Sequence, residues 1–251
     1  MIKLFLKSIV IGVANIIPGV SGGTLAVLLN IYDELVEKIG NFLNVNFKTK
    51  IEYAKYLTVV ILGAGLGILM FANIIKFSVS NYPRTTSIVF SLLVIPSIPL
   101  IVKGLDYKKI KNIISFFLGL ILMSIFIFLN IKYGKGNNSP VISPDSLEMI
   151  CFSRTYLLKI FICGLISAGA MIIPGISGSL LLLMLGEYYN IVTFISNFSI
   201  QPLIFLGLGV AVGLVLFSKA VDYLLKNYRE ITLFFITGII SMSIIQIFLA
   251  L

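Results

Sequence analysis

Histidine is absent from the 251 residues. With it go the usual proton shuttle, the commonest zinc ligand, and phosphohistidine or Ser-His chemistry. Charge is scarce: Asp, Glu, Lys and Arg make up 12% of the chain, about half the share in a soluble domain. The ten acidic residues form no cluster spaced for a metal. The two cysteines, Cys151 and Cys163, have no metal-ligand spacing either. Cys163 lies in an apolar run, which suits a small buried side chain better than a redox partner. These absences argue against an enzyme, and no cofactor or metal is expected.

What the chain has in place of charge is apolar sequence. It is 59% hydrophobic with a mean hydropathy of +1.09, the composition of a polytopic membrane protein. The net charge of +9 is dispersed among loops between apolar runs. Orientation in the membrane explains it better than nucleic-acid binding does, and attraction to anionic membrane lipids is a second effect. Apolar segments run at about 4–30, 56–79, 86–102, 110–130, 157–187, 201–225 and 231–250. A mixed-charge loop is expected at about 31–55. Lys3 and Lys7 before an apolar run mimic a signal peptide, but the same pattern recurs at Lys159, which argues against cleavage.

One motif occurs twice. Ala14-Asn15-Ile16-Ile17-Pro18-Gly19-Val20-Ser21-Gly22-Gly23-Thr24-Leu25 returns as Ala170-Met171-Ile172-Ile173-Pro174-Gly175-Ile176-Ser177-Gly178-Ser179-Leu180-Leu181, with eight of twelve positions identical. Pro-Gly followed by Ser-Gly loosens a helix where no water can satisfy its backbone. Doing so in corresponding halves points to a site built from broken helices at membrane depth. The repeat extends further. Leu62-Gly63, Gly67 and Phe71 match Leu208-Gly209, Gly213 and Phe217, and Asn81-Tyr82 matches Asn227-Tyr228. Gly63, Gly65 and Gly67, with Gly207, Gly209 and Gly213, give faces for close helix packing. Pro83 suits a first helical turn, and Pro96 and Pro99 should kink their segment.

Length and charge favour re-entrant tips. Leu4 to Ile17 spans about 21 Å as a helix, against roughly 30 Å of hydrocarbon. If both broken segments turn back, the basic residues divide thirteen to six between the two membrane sides; if both cross, they divide eleven to eight. The positive-inside rule prefers the first arrangement. The fold expected is all-α and integral to the membrane. It is an inverted repeat, each half a re-entrant broken-helix hairpin plus two transmembrane helices, with one unpaired helix between. Repeat one covers about 1–103, the linking helix about 104–130 and repeat two about 155–251. The N-terminus is expected in the cytoplasm and the C-terminus outside.

Each tip ends one half-helix at Pro18-Gly19 or Pro174-Gly175 and begins the next at Ser21-Gly22-Gly23 or Ser177-Gly178-Ser179. Helix N-termini expose free N–H groups and partial positive charge. Glycines permit close approach, and Ser21, Thr24, Ser177 and Ser179 add hydroxyls. An anion site follows, suited to a phosphate headgroup or a small anion. Unwound carbonyls suit Na⁺ as a coupling ion, and Glu187 is the candidate carboxylate if the coupling ion is H⁺. Asn15 faces the first tip while Met171 holds the matching place, so the tips are not equivalent. The few ionisable residues inside apolar segments are candidates for gating or coupling: Lys76, Glu187, Lys219 and Asp222. Lys219 and Asp222 stand three apart and are expected to pair. Snorkelling lysines and an interfacial Glu187 beside Tyr188 and Tyr189 are the plainer readings. Arg84 and Arg229 read as anchors.

The two tip sequences, with Ile31-Tyr32 after the first and Leu185-Gly186-Glu187-Tyr188 after the second, resemble the paired signatures of the polyprenyl-phosphate transporter family, once called domain of unknown function 368. Phe217-Ser218-Lys219 and Asn227-Tyr228 fit the same resemblance. It implies a flippase that returns polyprenyl phosphate, such as undecaprenyl phosphate, across the cytoplasmic membrane, recycling the carrier lipid for cell-wall and surface-glycan synthesis. Pro96-Ser97-Ile98-Pro99 departs from the family's Gly-Ser-Ile-Pro, and the chain stops at Leu251 where family members often continue. A small-anion channel or exchanger would use the same kind of helix ends and stays open as an alternative.

Overall fold

The computed structural model describes residues 1–16, 21–133 and 153–250, and every regular element among them is a helix. The first half holds α1 (Ile2–Ile16), α2 (Gly22–Leu28), α3 (Tyr32–Gly40), α4 (Phe47–Asn81), α5 (Pro83–Val94) and α6 (Ser97–Val102). Then α7 (Ile110–Tyr133) leads toward the second half, which comprises α8 (Arg154–Ile172), α9 (Gly178–Met184), α10 (Tyr188–Ser196), α11 (Ile200–Asn227) and α12 (Arg229–Ala250). Six helices among the described residues are long and apolar enough to cross a membrane: α4, the α5–α6 pair, α7, α8, α11 and α12. The chain is therefore a multi-pass membrane protein.

Local chemistry sets many of the boundaries. Asn46 caps α4, its side chain accepting from the Thr49 N–H at 2.9 Å, and Ser153 caps α8 through the Tyr156 N–H. Pro83 occupies the first turn of α5, where its missing N–H costs nothing. Pro96 lies at the interruption between α5 and α6, where the kink was expected. At 35 residues α4 is about 52 Å long and extends beyond the hydrocarbon.

The sequence repeat is a structural one. By the alignment of the two motifs, α9 has the bounds of α2, and α10 has those of α3. Each seven-residue helix ends on a left-handed residue, Asn30 (φ 54) or Gly186 (φ 75). The turns then close identically: Ile31 N–H donates to Ala26 O and Glu187 N–H to Leu182 O, both at 3.0 Å. Helix packing repeats as well. A Cβ on Gly63 or Gly67 would collide with the Phe5 or Ile9 carbonyl of α1; on Gly209 or Gly213 it would meet that of Phe161 or Leu165 of α8. Gly65 and Gly207 meet nothing within 4 Å, so two of the three glycines of each expected face are used. In both pairs the contact positions rise together, so α1 runs in the same direction as α4, and α8 as α11.

The expected loop at 31–55 is a correction. It is α3 and the first two turns of α4. Tyr32, Leu35, Val36 and Ile39 fall at helical spacing, and Tyr32 and Val36 are buried. Interleaved Asp33, Glu34, Glu37 and Lys38 mask this stripe in composition. The charged side of α3 is held to the ends of α11 and α12: Arg229 pairs with Asp33 at 2.7 Å, Lys226 with Glu37 at 3.2 Å, and Asn41 donates to Asp222 at 2.9 Å.

Candidate functional site: the facing hairpin tips

The first tip satisfies its own backbone. Gly22 N–H donates to Asn15 Oδ1 at 3.1 Å, Gly23 N–H to Ser21 Oγ at 3.2 Å, and Thr24 N–H to Ser21 O at 3.0 Å. A Cβ on Gly22 would lie 2.5 Å from Asn15 Oδ1, so a larger residue would displace this side chain. Asn15 thus acts as a cap. Among the described residues the Ser21 hydroxyl hydrogen has no acceptor.

The second tip is left open. Gly175 takes φ +93 against Ile239, a conformation that excludes most side chains, and it turns the chain beneath fully buried Pro174. Ser177 precedes α9 without capping it; its Oγ lies 2.9 Å from Ser179 Oγ. No hydrogen bond occupies the N–H groups of Gly178, Ser179 or Leu180 among the described residues. Such bare donors are costly in an apolar setting. Free N–H groups, expected at both tips, are therefore found among the described residues at the second alone.

The tips meet. A Cβ at Gly23 would sit 3.3 Å from Met171 O and 3.4 Å from Pro174 Cα. Between the tips lies a cavity of about 240 Å³, lined by Asn15, Ser21, Ser167, Met171, Ile176, Ser177, Gly178, Ser179 and Leu182. No charged side chain lines it. Ser167 went unnoticed in the sequence. It donates to Gly178 O at 2.9 Å and so fixes the start of α9. The only signal was a hydroxyl in the small-residue run Ser167-Ala168-Gly169-Ala170, one turn before Met171. Gly22 and Gly23 line a neighbouring apolar cavity instead. Thr24, Pro174 and Gly175 line neither; the Thr24 hydroxyl is buried without a partner among the described residues. Pro18 and Gly19 lie outside the described residues.

A family model of undecaprenyl phosphate translocase-like proteins matches residues 11–250, a span that takes in both tips. The chain belongs to this family. It is 30% identical to a polyprenyl-phosphate transporter of Vibrio cholerae serotype O1 (strain ATCC 39315 / El Tor Inaba N16961), over 95% of this chain and 74% of that protein. It is 29% identical to a polyprenyl-phosphate transporter of Staphylococcus aureus (strain NCTC 8325 / PS 47), over 97% of this chain and 84% of that protein. No solved structure matches.

Glu187, Lys219 and Asp222 of this translocase-like chain stand apart from the tip cavity. Glu187 is 2% exposed. It pairs with Lys159, and accepts from Tyr156 Oη at 2.8 Å and Asn190 Nδ2 at 2.9 Å. Asp222 pairs with Lys226 at 3.0 Å and not with Lys219, correcting the expected pair. The i,i+4 order with the acid first is the more favourable, and Asn41 approaches from the same side. Lys219 is exposed, and its backbone packs on Gly40. Lys76 belongs to α4, with its side chain outside the described residues. One buried contact reaches the second tip from the first half: Tyr32 Oη donates to Ile172 O at 2.9 Å. Burial pushes the Tyr32 hydroxyl well above its ordinary range, with nearby Asp33 adding to the effect, so it stays a donor.

Proposed function

We propose that this chain carries polyprenyl phosphate, such as undecaprenyl phosphate, across the cytoplasmic membrane and so recycles the carrier lipid for envelope glycan synthesis. The observation that carries this reading is the cavity where hydroxyls of both broken helices converge, in a chain of this family. Phosphate oxygens accept hydrogen bonds from the Ser21, Ser177 and Ser179 hydroxyls and from the open N–H groups of α9. Charge-assisted bonds of this kind are the strong ones, and they need no titrating side chain. The related transporters of Vibrio cholerae and Staphylococcus aureus carry the same substrate class in their names. Nothing in the comparisons favours a small-anion channel.

The two halves act in this proposal as an inverted repeat, with the N-terminus in the cytoplasm and the C-terminus outside. The parallel α1/α4 and α8/α11 pairs support it. If α4, α5–α6 and α7 each cross once, the second pair enters from the opposite face. The thirteen-to-six division of basic residues favours the same orientation. Opposed halves around a fixed midplane site are the arrangement used for alternating access. A coupling ion, Na⁺ or H⁺, belongs to the same proposal.

Proteoliposomes containing labelled polyprenyl phosphate in one leaflet test the transfer directly. Accelerated loss of label from that leaflet, reduced by at least tenfold in a Ser177→Ala/Ser179→Ala variant, is expected. Transfer no faster than in protein-free vesicles refutes the function, and imposed Na⁺ or proton gradients identify any coupling. For topology, a cysteine at Asn44 and one at Asn197, both exposed, should be labelled from opposite sides; labelling from one side refutes the inversion.

A further inference from the structure

Beside the tip cavity lies a larger one of about 490 Å³, enclosed by α1, α2, α3, α4, the end of α8 and α11. Its walls are apolar side chains, among them Val36, Leu57, Val60, Leu214 and Val215. The polar groups on the lining are already engaged: Asn15 caps Gly22, and the Tyr32 hydroxyl donates to Ile172 O. The two cavities share Asn15 and Met171. One end of the combined space is therefore rich in hydroxyls, and the other is a hydrocarbon surface. That is the shape of an amphiphile with a small polar head.

The rim tells how the chain gets in. Ile61 of α4 and Ala211 of α11 both line the cavity, and both are exposed. Ile61 stands about 21 Å along α4 and Ala211 about 16 Å along α11. Both positions fall near the middle of helices that cross the membrane, so the opening faces lipid and not water.

Resting on the function proposed above, we infer that this cavity between α4 and α11 seats the head-proximal isoprene units of the polyprenyl phosphate whose phosphate occupies the tip cavity. At roughly 30 Å³ for a water-sized group, it holds on the order of fifteen carbons, about three isoprene units. The rest of the chain leaves between Ile61 and Ala211 and stays in the bilayer. Moving hydrocarbon from lipid into an apolar cavity gains almost nothing by the hydrophobic effect. The seat thus fixes where the chain lies and whether it fits, and contributes little to affinity.

Two measurements test the seat separately from the function. In the first, a polyprenyl phosphate bearing a diazirine on its second isoprene unit is irradiated with the wild-type protein in vesicles. Labelled peptides containing Leu57–Ala64 or Ala211–Val215 are expected; labelling confined to α7 and α12 overturns the seat. In the second, Ala211→Phe and Val215→Phe fill the cavity. Each should slow polyprenyl phosphate transfer at least tenfold, while isopentenyl phosphate, with one unit, still raises the melting temperature of variant and wild type equally. Transfer by both variants at the wild-type rate overturns the seat. If the wild type itself transfers no lipid, the functional reading falls instead, and the labelling result then stands or fails on its own.

Discussion

Replacing Tyr32 by Phe removes one oxygen and leaves the ring. The hydroxyl is buried at 3% residue exposure and donates to the Ile172 carbonyl at 2.9 Å. That carbonyl closes α8, where Pro174 ends the run of backbone donors. Two neighbouring N–H groups are committed elsewhere, Ile173 to Ala170 O and Ile176 to Ile173 O. An interhelical hydrogen bond in a membrane protein averages only about 0.6 kcal/mol, because lost partners are usually replaced. With these two donors committed, the cost moves toward that of an unsatisfied buried acceptor, about 1–2 kcal/mol. At about 3 °C per kcal/mol for a chain of this size, the melting temperature in detergent should fall by about 3–6 °C. The end of α8 carries Met171 into the tip cavity, so leaflet transfer should slow as well. A melting temperature within 1 °C of wild type, together with unchanged transfer, would refute the view that Tyr32 braces the second tip.

Glycine contacts give a paired test: Gly213→Leu should force α11 off the Leu165 carbonyl and abolish recovery of folded protein, while Gly207→Leu, with nothing within 4 Å, should behave as wild type in size-exclusion profiles. Truncating the buried carboxylate in Glu187→Ala should destabilise by about 3 kcal/mol; Asp33→Ala, whose ion pair is exposed, should cost about 1 kcal/mol or less, and thermal melts of the two variants would rank them. Cysteines at Asn41 and Asp222 should form a disulfide that pins α3 to α11. Transfer should stop on oxidation and recover on reduction if these helices part during the cycle, and uninterrupted transfer would show that they do not.

The repeated tips were readable because proline, glycine and serine are conspicuous in apolar sequence and the spacing was kept. Asn15 against Met171 marked the tips as unequal in the sequence, but only the fold shows that Asn15 closes its own tip while the second stays open. Ser167 was hidden because a helical serine is ordinarily satisfied by its own helix; it matters because α9 folds back to present the Gly178 carbonyl. The α3 helix was missed because charge was weighed above period. Its apolar stripe is only nine residues long, and its burial depends on α11, which lies far away in sequence. Asp222 had candidate lysines on either side, and the choice between them rested on Asn41, also distant in sequence.

The glycine contacts of α1 with α4 and α8 with α11 bear on how a headgroup could change sides. Where backbone meets backbone, no side chain can change rotamer to let one helix slide past the other. Each pair is in effect a solid bar whose internal geometry should survive the whole cycle. Displacement then has to be taken up between the bars, at the non-helical links of the tips and at the polar contacts of α3. On that view the contacts that would have to exchange partners are few and nameable: the Tyr32 hydroxyl, the ion pairs of Asp33 and Glu37, and the Asn41–Asp222 hydrogen bond.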